Sequence, residues 1–133
     1  MILLDTHVAL WFTVDSNSLG KQCRRIVRLA AAESQLAVSA VSFWEIALLI
    51  AKRRLRSADS AAETRHLILS AGAIELPLTG EIAILAGQLD SLHGDPADRF
   101  IAATAIVHDA TLITADNRLL RWPHSMRRHN AET

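Results

Sequence analysis

Asp5, Glu45, Asp98 and Asp116 are the residues of this 133-residue chain whose types and placement point to chemistry. They lie far apart in sequence. Each stands at the end of an apolar run that reads as a strand, or in the helical segment that follows one. In an open α/β sheet, ligands collect beyond the carboxyl ends of the strands. Four carboxylates delivered to one such place repel and raise one another's pKa values, and a divalent cation relieves this. Oxygen ligands, with no cysteine cluster and no paired-histidine motif, favour Mg²⁺ or Mn²⁺ over Zn²⁺. Such a cation lowers the pKa of a bound water and stabilises charge on a phosphodiester, so the chemistry implied is hydrolysis of a phosphate ester.

The four acids are not equally informative. Between Ala37 and Ala51, Glu45 is the only charged residue, set among Phe43, Trp44, Leu48 and Ile50. An ionised carboxylate there is costly unless it is paired or coordinated, or projects from the helix edge into water. Asp98 follows Asp95–Pro96 in a stretch that reads as a helix start: Asp95 caps, Pro96 occupies the first turn, and Asp98 lies three after the cap. Asp95 is read as the cap alone. Asp5 and Asp116 each stand just past a strand end. There a carboxylate also serves as a cap or turn residue, which does not exclude chemistry.

The elements that must position these acids follow from apolar patterning. Ile2–Leu4, Leu36–Ser39, Ala73–Leu76 and Thr111–Thr114 read as buried strands, and Met126–Arg128 as a weak edge strand. Helices are expected over 7–12, 18–32, 41–51, 61–71, a segment from the Thr79 cap to Leu89, the stretch after Asp95, and 118–121. Lys52–Arg56 closes the Glu45 helix with positive charge, and Ser57–Ser60 reads as a turn and cap. Strands alternating with helices indicate a three-layer α/β/α sandwich around a mainly parallel sheet of four to five strands. No repeat, linker or low-complexity tract interrupts residues 1–133, which read as a single domain.

The totals narrow the class. Half of the residues are hydrophobic, so a two-faced core is available. Fourteen basic residues balance fourteen acidic ones, so net charge names no partner. Cys23 is the only cysteine, which excludes an intrachain disulfide and a cysteine-cluster zinc site. With no signal-like start and no apolar run of membrane-spanning length, a soluble cytoplasmic protein is expected. Twelve of the fourteen basic residues fall in three clusters, 21–28, 52–56 and 118–128. They are compatible with RNA phosphate, with an acidic protein tail, or with a solvated face. Base stacking would rest on Trp11, Trp44 or Trp122, with core packing the expected job of Trp44. The histidines show no ligand spacing, and cap or surface roles are expected for them.

Asp5 in Leu3–Leu4–Asp5–Thr6–His7, Glu45 in Ser42–Phe43–Trp44–Glu45–Ile46–Ala47, Asp98 in His93–Gly94–Asp95–Pro96–Ala97–Asp98–Arg99 and Asp116 in Leu112–Ile113–Thr114–Ala115–Asp116 resemble the PIN-domain nuclease pattern. In particular they resemble VapC-type toxins of toxin–antitoxin pairs, over essentially the whole chain. The resemblance implies a Mg²⁺- or Mn²⁺-dependent endoribonuclease cutting tRNA or another structured RNA. It also implies a homodimer, and inhibition by a cognate antitoxin whose C-terminal segment lies across the acidic pocket. By position, Asp5, Glu45 and Asp98 would be the principal metal ligands and Asp116 a further one. Thr114 would hydrogen-bond the site, and Thr6 would orient Asp5 or a water. Relatives often carry a lysine one turn after the helix glutamate, where this chain has Leu49; Lys52, two turns on, is a substitute for backbone contact.

Other acidic-pocket folds fit less well. A receiver domain wants an acidic pair at the first strand's end and a lysine after a late strand, but Asp5 stands alone and Thr114–Ala115–Asp116 has no lysine. A haloacid-dehalogenase phosphatase needs an aspartate where His7 stands. Nucleotide-binding folds need a glycine-rich phosphate loop that is absent here. A PIN fold that only binds RNA or a partner is the remaining alternative.

Overall fold

The computed structural model describes residues 1–53 and 60–133. The expected basic helix end at Arg54–Arg56, and the expected turn at Ser57–Ser60 except for Ser60 itself, lie outside the described residues. In chain order the elements are β1 (Ile2–Leu4), α1 (Thr6–Thr13), α2 (Lys21–Ala32), β2 (Leu36–Ser39), α3 (Ala40–Ala51), α4 (Ala61–Ser70), β3 (Ile74–Leu76), α5 (Gly80–Gln88), α6 (Pro96–Val107), β4 (Thr111–Thr114), α7 (Asn117–Leu120) and β5 (Arg128–Asn130). The strands form a five-stranded sheet of order β3-β2-β1-β4-β5. Every neighbouring pair is parallel.

Parallel strands covered on both faces require apolar side chains to alternate between two cores, and they do. Leu4, Leu36, Val38 and Ile113 point into a cluster with Val8, Cys23, Val27, Ile46 and Ile68 of α1 to α4. Leu3, Ala37 and Leu112 point to the other face, against Ile101, Ala102 and Ala105 of α6 and Leu119 of α7. A third cluster joins Ile82 and Ala86 of α5 to Ala103 of α6. The architecture is therefore the expected three-layer sandwich. The small residues of α6 (Ala102, Ala103 and Ala105, all fully buried) let it lie between α5 and the sheet.

Two elements differ from the sequence reading by more than one residue. The second helix starts at Lys21 rather than Ser18, because Ser16–Leu19 forms a turn and Gly20 is the N-cap. The last strand runs over Arg128–Asn130, two residues later than expected, in register with Leu112–Thr114. His124, whose amide bonds to the Trp122 carbonyl, and Met126, whose amide bonds to His124 Nδ1, occupy a turn before it.

Sheet order brings the site together. β1 lies between β2 and β4, so the chain leaves β1 toward one side of the sheet and later returns on the other. Such a reversal opens a crevice at the carboxyl ends of the adjoining strands. Asp5 directly follows β1 and Asp116 lies two residues beyond β4.

Candidate active site

Asp5, Glu45, Asp98 and Asp116 line one pocket of about 300 Å³, together with Asp95, His7, Trp11 and Arg118. Asp5 and Asp116 arrive as helix caps, Glu45 and Asp98 from within helices. Asp5 is the N-cap of α1, its Oδ1 accepting from the Thr6 amide at 2.9 Å. Its Oδ2 accepts from the Thr114 hydroxyl at 2.6 Å, across the β1–β4 seam. Thr114 Oγ1 in turn accepts from the Asp116 amide at 3.0 Å, so one buried hydroxyl ties two strand-end acids together. Asp116 caps α7 by accepting from the Arg118 amide at 2.7 Å. Capping and site placement thus coincide at both positions.

Glu45 is half-buried on α3, beside Ile46, which is fully in the core. Its Oε1 accepts from the Thr6 hydroxyl, which also shares a 2.9 Å hydrogen bond with the buried Ser42 hydroxyl. Glu45 therefore turns toward the pocket and not into open water. Thr6 orients Asp5 through its amide, as expected, but its hydroxyl serves Glu45. Asp98, in the first turn of α6, is buried; Asp95 caps that helix, accepting from the Asp98 amide at 3.2 Å. Asp95 also lines the pocket while keeping the cap role read from the sequence.

Crowding shows in the titration of these groups. Burial pushes the Glu45 carboxyl up to about 7, with the charges of Asp5, Asp98 and Asp95 adding to the shift and the Thr6 hydrogen bond opposing it. Burial likewise pushes Asp98 up to about 6, opposed by His93 and reinforced by Asp5, Asp95 and Asp116. Asp5 is raised, first by burial and further by Asp116, against hydrogen bonds from Thr114 and Thr6. Burial acts upward on Asp116 as well, but the hydrogen bonds and charge of Arg118 outweigh it and hold that carboxyl below its usual value.

Three contributors were not assigned to the site from sequence. His93 Nε2 lies 2.6 Å from Asp98 Oδ2, so this histidine faces an acid instead of serving as a cap or surface residue. Among the described residues, His93 Nδ1 is the buried side-chain nitrogen or oxygen left without a partner. Arg118 spans Asp116 at 3.0 Å and Asp98 at 3.5 Å. Arg99 donates to the carbonyls of Ala86, Leu89 and Leu92 at 2.9, 2.7 and 2.8 Å, fixing the loop that carries His93. No periodicity could reveal these loop contacts; the one sequence cue is a histidine two residues ahead of a helix cap.

The donor set fits a hard divalent cation. It is carboxylate-rich, partly buried and electrostatically strained toward protonation, which a cation would relieve. Donor atoms of His93, Asp98 and Asp116 lie within 4.8 Å of one another, close enough to share one ion. Asp5 and Glu45 belong to the same pocket but not to that tight group.

The tryptophans divide differently from expectation. Trp122 is 3% exposed, donates to the Asp90 carbonyl and stacks on His124, so its ring is committed to the core. Trp44, expected in the core, is 52% exposed. Its neighbour Ile46 takes the inward direction of α3, which turns Trp44 to the surface.

A family model described as PIN domain matches residues 2–124. The chain is 35% identical over 124 residues to Ribonuclease VapC22 of Mycobacterium tuberculosis, covering 92% of each protein. Among solved structures, it is similar to VapBC2 from Rickettsia felis bound to a DNA fragment from their promoter, with a TM-score of 0.73, 20% identity and 98% of each chain covered. It is also similar to a toxin-antitoxin complex from Klebsiella pneumoniae, with a TM-score of 0.60, 21% identity, and 92% of this chain and 93% of the other covered. An acid pocket at the β1–β4 crevice, in a five-stranded parallel sheet sandwiched by helices, thus meets independent matches in sequence and in fold: the chain belongs to the PIN-domain family.

Proposed function

We propose that this protein is a Mg²⁺- or Mn²⁺-dependent endoribonuclease, the toxin of a VapBC-type pair, built as one nuclease domain. The observation that carries the reading is the convergence of Asp5, Glu45, Asp98 and Asp116 from four separate elements on one pocket. The 35% identity to a ribonuclease supports the reaction class.

In this reading Asp5, Glu45 and Asp98 hold the cation and Asp116 assists. When bound, the ion would neutralise the carboxylates, lower the pKa of a water and stabilise charge on the phosphodiester. The chain's own residues keep that donor set in place. Thr114 and the Thr6 amide fix the two oxygens of Asp5, and the Thr6 hydroxyl fixes Glu45. His93 holds Asp98 Oδ2, the outer-shell arrangement that orients a ligating carboxylate. Arg118, 59% exposed at the pocket edge, is placed to meet a substrate phosphate.

The substrate is tRNA or another structured RNA. The partners are a cognate antitoxin, as in the Klebsiella pneumoniae complex, and a second copy of this chain. Among the described residues no helix is long and apolar enough to cross a membrane, and the proposed setting is the cytoplasm. The test is RNA cleavage with Mg²⁺, with Mn²⁺ and with a chelator, on wild type and Glu45→Gln. Cutting that needs the cation and is lost in the variant is expected. Cleavage that survives the chelator or the substitution overturns the reading.

A further inference from the structure

A second groove, of about 230 Å³, adjoins the acid pocket. Its walls are Trp44, Leu48 and Leu49 on α3 and Pro96 on α6, with Lys52 at the C-terminal end of α3. Glu45 and Asp95 line both the groove and the acid pocket, so the two spaces share a wall. Trp44 and Leu48 are four residues apart and both exposed, which makes one apolar strip along the helix. Neither belongs to the buried clusters of the sheet faces.

What covers this strip is indicated by its neighbours. Trp44 precedes Glu45 directly, and consecutive Cα atoms are about 3.8 Å apart, so an indole face stands one residue from a carboxylate of the reacting centre. Lys52 lies seven residues beyond Glu45, about 10 Å along the helix, and brings positive charge to the far end. A carboxylate of the acid pocket with an aromatic face directly beside it and a cation two turns along the same helix matches a nucleic-acid strand lying across the phosphate under attack. The base stacks on the aromatic, and the next phosphate meets the cation.

We propose that the Trp44–Leu48 groove is a subsite for an unpaired nucleobase of the RNA, the base adjacent to the scissile phosphate stacking on Trp44 while Lys52 meets the following phosphate. The proposal rests on the nuclease reading above, and its consequence is that the cut falls in a single-stranded loop or end whose bases can splay out. Leu49 then has a role as apolar wall, and the lysine one turn after Glu45 is replaced by Lys52 one turn further on.

The test is binding of a short oligoadenylate, and of the matching abasic oligomer, to protein carrying Asp5→Asn to block cleavage. Adding Trp44→Ala is expected to weaken oligoadenylate binding about tenfold, within the range for base–aromatic stacking, and to leave the abasic oligomer unaffected. Trp44→Phe should recover most of the loss. The Trp44→Ala loss should persist in high salt, whereas the loss from Lys52→Ala should shrink, because phosphate contacts are salt-sensitive. Equal affinity for oligoadenylate overturns the subsite, as does a loss that accompanies a change of oligomeric state in sedimentation, which would assign the strip to a contact between copies. Wild-type cleavage separates the two readings. Cutting with equal affinities removes the subsite alone, and no cutting with no binding removes both.

Discussion

The acid pocket and the outer face of α2 are near mirror images in charge, and they behave differently. The pocket gathers five carboxylates around one close guanidinium, Arg118. The α2 face gathers Lys21, Arg24, Arg25 and Arg28 around one carboxylate, Asp15, which pairs with Arg24 and Arg28. In the pocket the like charges sit in a concavity beyond the sheet, with Asp5 8% and Asp98 7% exposed. On α2 they line an open helix face, and Arg24 spends its guanidinium on the carbonyls of Leu19 and Ser16, closing the turn before the helix. Burial, not the number of like charges, turns a cluster into a place that demands a counter-ion. An exposed stripe is screened by water and salt, and its members are free for local structural work.

The contrast is broken most sharply at Asp5. Asp5→Asn should lower cleavage by about a hundredfold or more while the protein stays folded. In chelator the variant should melt above the wild type, because a buried repelling charge is gone. Paired melts with and without Mg²⁺ and a cleavage assay check this; an unfolded or fully active variant contradicts it. The next effect belongs to Thr114→Val, which unties Asp5 from Asp116. Cation affinity should fall about tenfold, as for loss of an outer-shell partner, and calorimetric titration with Mn²⁺ measures it.

A smaller effect sharpens the comparison through pH. Burial raises the Glu45 carboxyl to about 7 in the fold against an ordinary 4.5, so between those values the folded protein holds a proton that the unfolded chain has released. Stability from this group is therefore lost as pH rises through that window. Glu45→Gln removes the slope. In chelator, its stability relative to wild type should improve from acid to neutral pH by on the order of 1–2 kcal/mol after allowance for solvent screening. Urea unfolding at several pH values reads the difference, and a constant gap would refute it. On the α2 side, Arg24→Ala should cost about 1 kcal/mol of stability, mostly through the two carbonyls it leaves, with no change in cleavage rate. Loss of cleavage there would mean that the exposed cluster also serves the reaction.

How far the sequence reached differs by residue. Asp5 and Asp116 were legible because a short apolar run followed by an acid is a local pattern, and parallel strands carry such ends to one edge. Glu45 was legible because an isolated charge in an apolar helix has to be compensated. Asp95 and Pro96 were legible as a helix start for the same local reason. Thr114 was assigned to the site through family resemblance, and its hydroxyl does meet Asp5 at 2.6 Å. Trp44 and His93 were misread. Which side of α3 carries an aromatic is decided by what packs there, and His93 reaches Asp98 only because Arg99 holds its loop against α6.

By itself, then, the order of residues determined the alternation of strands and helices, the capping acids and the set of carboxylates, since each depends on neighbours within a few positions. The tertiary structure alone decided that β1 lies between β2 and β4, that Thr6 serves Glu45, and that His93 and Arg118 both meet Asp98. Those contacts join residues from separate loops and helices. Their energies depend on distance and burial, which exist only once the sheet has closed its two cores.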